Sequence, residues 1–264
     1  MIDLRKGDCL QLMQGIPDGS IDMILADLPF GTTRCSWDVI IDLDLMWIQY
    51  NRIIKPNGAI LLFAQTPFDK VLGCSNLKML RYEWIWEKSH ATGHLNSAKM
   101  PMKAHENILV FYKHLPIYNP VMTHGHERKV SSAKNKSICI ERRNDTGNIY
   151  NNEYPDKIQD YDSTDRFPRS VLRFPSDKQK MTLHKTQKPV ALCSYFIETY
   201  TNKGDTVLDN TMGSGTTMIS CQETGRNGIG MEDEPKTFSI AQKRVADNAI
   251  RLAKPVYVQT RLSF

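Results

Sequence analysis

The sequence predicts a doubly wound α/β fold. Short apolar runs, helical patterns between them, and glycine or proline punctuation carry that expectation. The runs are Ile21–Ala26, Ala59–Phe63, Ile108–Tyr112, Thr206–Leu208 and Gly228–Met231. Such runs suit strands buried on both faces of a parallel sheet. Leu43–Ile54 places apolar residues at helical spacing and stops before Pro56-Asn57-Gly58, a stop signal. Val190–Tyr200 and Thr216–Thr224 read as helices, and Lys236–Leu252 as a longer one.

The rhythm breaks between residues 114 and 183, which are rich in Asn, Lys, Arg, Asp, Tyr and Pro. That segment reads as an insertion of loops and short elements between two halves of one sheet, 1–113 and 184–264. Long irregular segments in compact enzymes are usually functional or disordered. Its scattered aromatics, among them Tyr118, Tyr161, Phe167 and Phe174, argue against full disorder.

The chain has 264 residues, enough for one full α/β domain plus a small insertion. Its start, MIDLRKGDCL, lacks the apolar run of a signal peptide, and no stretch approaches about 18 uninterrupted apolar residues. A cytoplasmic enzyme without a membrane segment is expected. The six cysteines are scattered with no CxxC pair, which fits reduced thiols. His124, His126 and Cys139 match no common zinc pattern, so no metal is expected. The net charge of +5 is uneven: residues 113–188 hold 15 Lys/Arg against 9 Asp/Glu. A basic segment on a near-neutral body suggests a polyanion partner, although a solvated loop region has the same composition.

Two motifs carry chemistry. In Asp205-Thr-Val-Leu-Asp209-Asn-Thr-Met-Gly213-Ser-Gly215-Thr-Thr217 a buried strand runs through two glycines into a helix. Glycines let the backbone approach a ligand, and the helix start offers free N–H groups. Glu232 follows Asp209 by 23 residues, at the end of the next strand, where an acid can accept bonds from ribose hydroxyls. The third glycine of the NAD fingerprint is missing. Asp209 beside the loop would repel a pyrophosphate and suits a nucleoside cofactor with a cationic amino-acid end, such as S-adenosylmethionine. Taken alone, the two glycines also fit a tight structural turn. The second motif is Ile21-Asp-Met-Ile-Leu-Ala-Asp27-Leu28-Pro29-Phe30-Gly31. Pro29 fixes the local backbone. It could aim the Asp27 carboxylate and the Leu28 carbonyl at one spot, beside the Phe30 ring. Two acceptors and a ring suit a planar base bearing an NH₂ group, although a strand ending in a turn would read the same way.

Asp27-Leu28-Pro29-Phe30 resembles the (D/N/S)PP(Y/F) motif of amino-group DNA methyltransferases. Val207–Thr217 resembles the same family's VLDPFxGSGTT cofactor loop, and His184-Lys-Thr-Gln-Lys-Pro189 the segment before the preceding helix. The order, catalytic motif first and cofactor loop last, is that of the circularly permuted β group. Leu28 stands where a proline is commoner, and Asn210-Thr211 replaces Pro-Phe. The resemblance implies a Rossmann-like, S-adenosylmethionine-dependent methyltransferase fold with an inserted target-recognition region. It places Asp8, Gln187, Lys188, Asp209, Asn210, Met212, Gly213, Ser214, Gly215, Thr216 and Glu232 along the cofactor, with Asp8 near its adenine. Trp84, Trp86 and Glu106 fall in the scaffold, the tryptophans as core.

The resemblance implies methylation of adenine N6 in double-stranded DNA, on a base flipped out of the helix. Cytosine N4 is the alternative, and a catalytically idle DNA-binding protein of the same fold is another. Candidate DNA contacts are Arg34, on a loop over the base, and Arg128, Lys129, Arg142, Arg143, Arg166 and Arg169 in the insertion. The oligomeric state is open, a homodimer included.

Overall fold

The computed structural model describes residues 1–32, 38–133, 160–175 and 187–254. Arg34, Cys139, Arg142, Arg143 and the His184–Thr186 part of the motif before Pro189 lie outside the described residues. Two compact units emerge: Met1–Asn119 with Ser170–Phe264, and Pro120–Arg169.

The first unit is built on an eight-stranded sheet. In chain order its strands are β1 (Ile2–Lys6), β2 (Ile21–Asp27), β3 (Ile54–Ala64), β4 (Leu80–Thr92), β5 (Lys103–Phe111), β8 (Val171–Phe174), β9 (Thr206–Asp209) and β10 (Asn227–Glu232). Across the sheet they run β1-β10-β9-β2-β3-β5-β4-β8. β1 through β3 in that order are parallel, and β5 is antiparallel to both its neighbours. β2 and β3 are almost wholly buried, as their unbroken apolar runs predict.

Helices cover both faces. Cys9–Gln14 (α1), Leu43–Ile53 (α2) and Phe68–Ser75 (α3) pack Met13, Trp47, Tyr50 and Phe68 against one face. Val190–Tyr200 (α4) packs Leu192, Phe196 and Tyr200 against the other, together with Trp84 and Trp86. Thr216–Thr224 (α5) and Pro235–Ala253 (α6) close over Met212 and Met218. Side-chain caps fix several helix starts: Asp8, Asp42 and Glu234 accept from the backbone N–H three residues on. The tryptophans are core, as expected, and their indole N–H groups are satisfied by the Tyr200 hydroxyl and the Phe174 carbonyl.

Three strands, β1, β4 and β8, escape sequence periodicity. β1 is short and polar, and β4 shows alternating burial only around Trp84 and Trp86. β8 alternates exposed with half-buried residues, yet pairs with β4 at the sheet edge. It comes from the 114–183 segment but belongs to the main sheet. β10 carries glycines at 228 and 230, where a Cβ would crowd Met218 and Met212 sulfurs. The second unit holds a two-stranded ribbon, β6 (Lys129–Ser131) with β7 (Tyr161–Ser163), and a bridge between Thr123 and Arg166. Among the described residues no helix is long and apolar enough to cross a membrane.

Candidate active site

The sheet places the two motifs side by side. Strands β2 and β9 are neighbours, with Ile24 opposite Leu208, so Asp27 and Asp209 end adjacent strands on one edge. From β2 the chain steps outward to β3, and from β9 it steps the other way to β10. The reversal makes a switch point, where open α/β sheets bind ligands beyond the carboxyl ends of their strands. A cavity of about 1000 Å³ opens there. Its wall contains Asp27 and Pro29 from the first motif, and Asp209, Asn210, Met212, Gly213, Ser214 and Thr216 from the second. Asp8, Gln187, Lys188 and Glu232 also line it. Leu28, Phe30 and Gly215 do not.

Each of those three has another place. Leu28 is buried in the core. Phe30 stacks on Phe68, with centroids 5.4 Å apart and planes at 25°. Gly215 caps α5 at φ +82°, and a Cβ there would lie 3.2 Å from the Ala241 Cβ. It lets α6 close on the loop.

Asp27 sits at one end of a chain of largely buried charges, itself 28% exposed. Its Oδ2 accepts from Lys188 Nζ at 2.7 Å, Lys188 lies 3.1 Å from Glu106, and Glu106 lies 2.6 Å from Lys88. Asp27 Oδ1 is buried and has no hydrogen-bond partner. Burial raises the Asp27 pKa; the Lys188 ammonium opposes that shift and Glu106 adds to it. Burial also pushes Glu106 up, but Lys188 and Lys88 outweigh it and hold it at about 2. Lys188 is raised despite burial, because it faces two carboxylates. The ammonium also stands 5.9 Å from the Phe30 ring centroid and 5.1 Å from that of Phe63. Lys188 thus lines the cavity with its charge committed to Asp27 and Glu106.

The cofactor-loop half is acidic and stitched to its surroundings. Glu232 accepts from Gly213 N–H at 3.1 Å and Glu234 N–H at 2.9 Å. Asp209 accepts from Thr211 N–H at 3.1 Å, and burial raises its pKa to about 7. Asn210 is held by the Tyr50 hydroxyl at 2.5 Å, and Thr211 Oγ1 donates to the Asp27 carbonyl at 3.1 Å. The two residues that replace Pro-Phe therefore tie the loop to α2 and β2 by hydrogen bonds.

Residues 21–243 match the sequence profile of the N6/N4 DNA methylases. The chain belongs to that family. Among its relatives, the type II methyltransferase M.HinfI of Haemophilus influenzae is 25% identical over 277 residues, covering 92% of this chain and 68% of its own. The DNA adenine methyltransferase YhdJ of Escherichia coli (strain K12) is 28% identical over 255 residues, covering 90% and 81%. The M1.HpyAVI–SAM complex has a TM-score of 0.60 at 23% identity, over 92% of this chain and 100% of that one. The cytosine-N4-specific PvuII DNA methyltransferase has a TM-score of 0.63 at 15% identity, over 95% and 92%. These structural likenesses establish the Rossmann-like methyltransferase fold.

Of the candidate DNA contacts in this methylase, Lys129 and Arg169 are exposed. Arg128 makes a paired contact with Asp162, and Arg166 donates to the carbonyls of Glu127, Ser163 and Asp165. Those two arginines knit the second unit together. The unit as a whole, residues 120–169, carries nine Lys/Arg and eight Asp/Glu. The basic excess read from 113–188 therefore lies in its flanks.

Sequence reading missed Lys88 and the part played by Glu106. It also missed Asp38, whose carboxylate accepts from Gly31 N–H at 2.8 Å and Thr32 N–H at 2.9 Å and so anchors the chain after Phe30. A signal existed: Glu106 precedes an apolar strand and Lys188 precedes Pro189, and charges entering buried positions need partners.

Proposed function

We propose that this methylase transfers a methyl group from S-adenosylmethionine to adenine N6 in double-stranded DNA, on a base drawn out of the helix. The observation that carries the reading is the unpartnered, buried Oδ1 of Asp27, a residue that lines the same cavity as Asp209, Gly213 and Glu232. A buried acceptor without a donor is costly unless a ligand supplies one. The adenine assignment draws on the YhdJ relationship and on an aspartate at position 27.

The cavity suits the cofactor chemically. Asp8, Asp209 and Glu232 put three carboxylates around its loop half, complementary to a cationic ligand with ribose hydroxyls. S-adenosylmethionine, when bound, supplies a methyl group already electrophilic on its sulfonium. The chain's task is the nucleophile, whose lone pair is shared with the base. Asp27 Oδ1 accepts one amino hydrogen and the Leu28 carbonyl the other, which draws the nitrogen toward tetrahedral geometry. As the nitrogen takes the methyl group, the methyl–sulfur bond would break with its electron pair going to sulfur, and the nitrogen becomes positive. The Asp27 carboxylate stabilises that charge and takes the departing proton, which passes to water. Lys188 keeps Asp27 ionised and occupies Oδ2, leaving Oδ1 for the base. Phe30, braced by Phe68, is the candidate stacking ring.

The test is to digest methylated DNA to nucleosides and identify the product by mass and retention. N6-methyldeoxyadenosine is expected. N4-methyldeoxycytidine as the main product would move the target to cytosine and leave the carboxylate mechanism standing. DNA left unmodified by purified protein with cofactor would overturn the activity.

A further inference from the structure

The hairpin of β4 and β5 extends past the carboxyl end of β3, the edge of the sheet on which the cavity opens. Asp27 is level with Phe63, Phe63 with Ile108, and the last pair of the hairpin is Thr92 with Lys103. Lys103 lies five steps along the strand from Ile108, so the paired part reaches about 17 Å beyond the Asp27 level, and the turn reaches further. The turn is ordered: Gly93 at φ +91° leads into a single 3₁₀ turn, His94–Asn96, and Lys99 and Met100 N–H groups both bond the Asn96 carbonyl. This turn holds Leu95 out at 88% exposure, with Met100 at 53% and Met102 at 41%. Apolar side chains grouped in this way on an exposed tip call for a partner.

Charge identifies that partner. From Lys88 to His105 there is no Asp or Glu, and there are three lysines and three histidines. Lys88 is spent on Glu106, which leaves two exposed lysines on the arm, Lys99 and Lys103, the latter donating only to the neutral Gln65 Oε1 at 2.9 Å. The nearly balanced second unit has no such acid-free stretch of described structure, since Asp160, Asp162 and Asp165 interleave with its basic residues. An acid-free basic arm with an apolar tip fits duplex DNA. The lysines meet phosphates and an apolar side chain enters between bases.

We propose that the β4–β5 hairpin is a DNA wedge: Leu95, backed by Met100, fills the stack where the target base has left, and Lys99 and Lys103 hold the flanking phosphates. The inference rests on the proposed methylation of an extruded base. It makes Leu95 a positioning residue, remote from the reacting atoms.

The experiment compares wild type with Leu95→Ala on two duplexes carrying the site found by sequencing methylated DNA. In one the target is paired; in the other it faces an abasic site and is already unstacked. On the paired target Leu95→Ala should lose about tenfold in kcat, and the loss should shrink to within about twofold opposite the abasic site. Cofactor affinity should not move. With 2-aminopurine at the target, wild type should raise fluorescence on binding and the variant should not. Lys99→Ala with Lys103→Ala should lower the salt slope of DNA binding by roughly one per lost phosphate contact. An unaffected Leu95→Ala enzyme, or an equal loss on both duplexes, overturns the wedge alone. Wild type that methylates without a fluorescence rise overturns base extrusion and the wedge together. Wild type that methylates no DNA overturns the parent reading and, with it, this one.

Discussion

Between Asp27 and Glu106 stands one ammonium, that of Lys188. Replacing Lys188 with Met would leave two carboxylates facing each other in a buried place. Breaking a buried pair by removing one partner typically costs about 3–5 kcal/mol, which denaturant unfolding would register. In protein that still folds, Asp27 loses the cation that opposes its burial. Its pKa rises further, so the acid limb of kcat should move to higher pH; an unmoved limb would show that Lys188 does not tune Asp27. Asp27→Asn should abolish transfer and leave calorimetric cofactor affinity within several-fold. Glu232→Ala should do the reverse and weaken cofactor binding first. Asp209 gives a pH test. With its pKa raised by burial to about 7, it is protonated below that value, and a cationic ligand prefers the carboxylate. Affinity should therefore climb about tenfold per unit from pH 5 to 7, with proton release, and then flatten. Calorimetry in two buffers measures both; a flat profile below pH 7 would place Asp209 out of the cation's reach. Asp27, Asp209 and Glu232 were legible in the sequence, because each ends an apolar strand. Lys188 as Asp27's partner was not, since 161 residues separate them.

The glycine loop shows how an element serves the site. Gly215 has a left-handed backbone, and its missing Cβ admits α6 at Ala241. Gly215→Ala should cost about 1–2 kcal/mol of backbone strain and weaken cofactor binding, because the strained loop also carries Gly213 and Ser214. Stability loss with intact affinity would separate packing from binding at this position. Elements with unbroken apolar runs, β2, β3, β5 and β9, were readable because burial on both faces leaves no polar positions. The edge strands β1 and β8, and β4 next to the edge, are half solvated, so their residues alternate or mix. The charge map changed for a related reason. Summed along the chain, 113–188 is basic; divided at the compact unit, its acids and bases nearly cancel.

At the scale of the whole molecule, ligand binding and folding are linked. Cofactor at about 100 times its Kd should stabilise the cavity-bearing unit by about 2.7 kcal/mol, read as a shift in denaturation midpoint. Asp27→Asn should keep that shift and Glu232→Ala should lose most of it; equal shifts in both would contradict the division of roles. The linkage follows from topology, because the cavity is closed by segments spread from Lys6 to Thr237. The sequence by itself determined the fold class, the two motifs and the family, since strand burial, glycine placement and acids at strand ends are local constraints that single residues record. Only the tertiary structure decided which of these residues meet. It set Lys188 against Asp27 and Glu106, left Asp27 Oδ1 without a partner, paired Arg128 and Arg166 within their own unit, and carried the acid-free hairpin beyond the carboxyl end of β3. Such pairings depend on register and on long-range closure of the chain, and no local pattern of residue types encodes the distance between groups that only the finished sheet brings together.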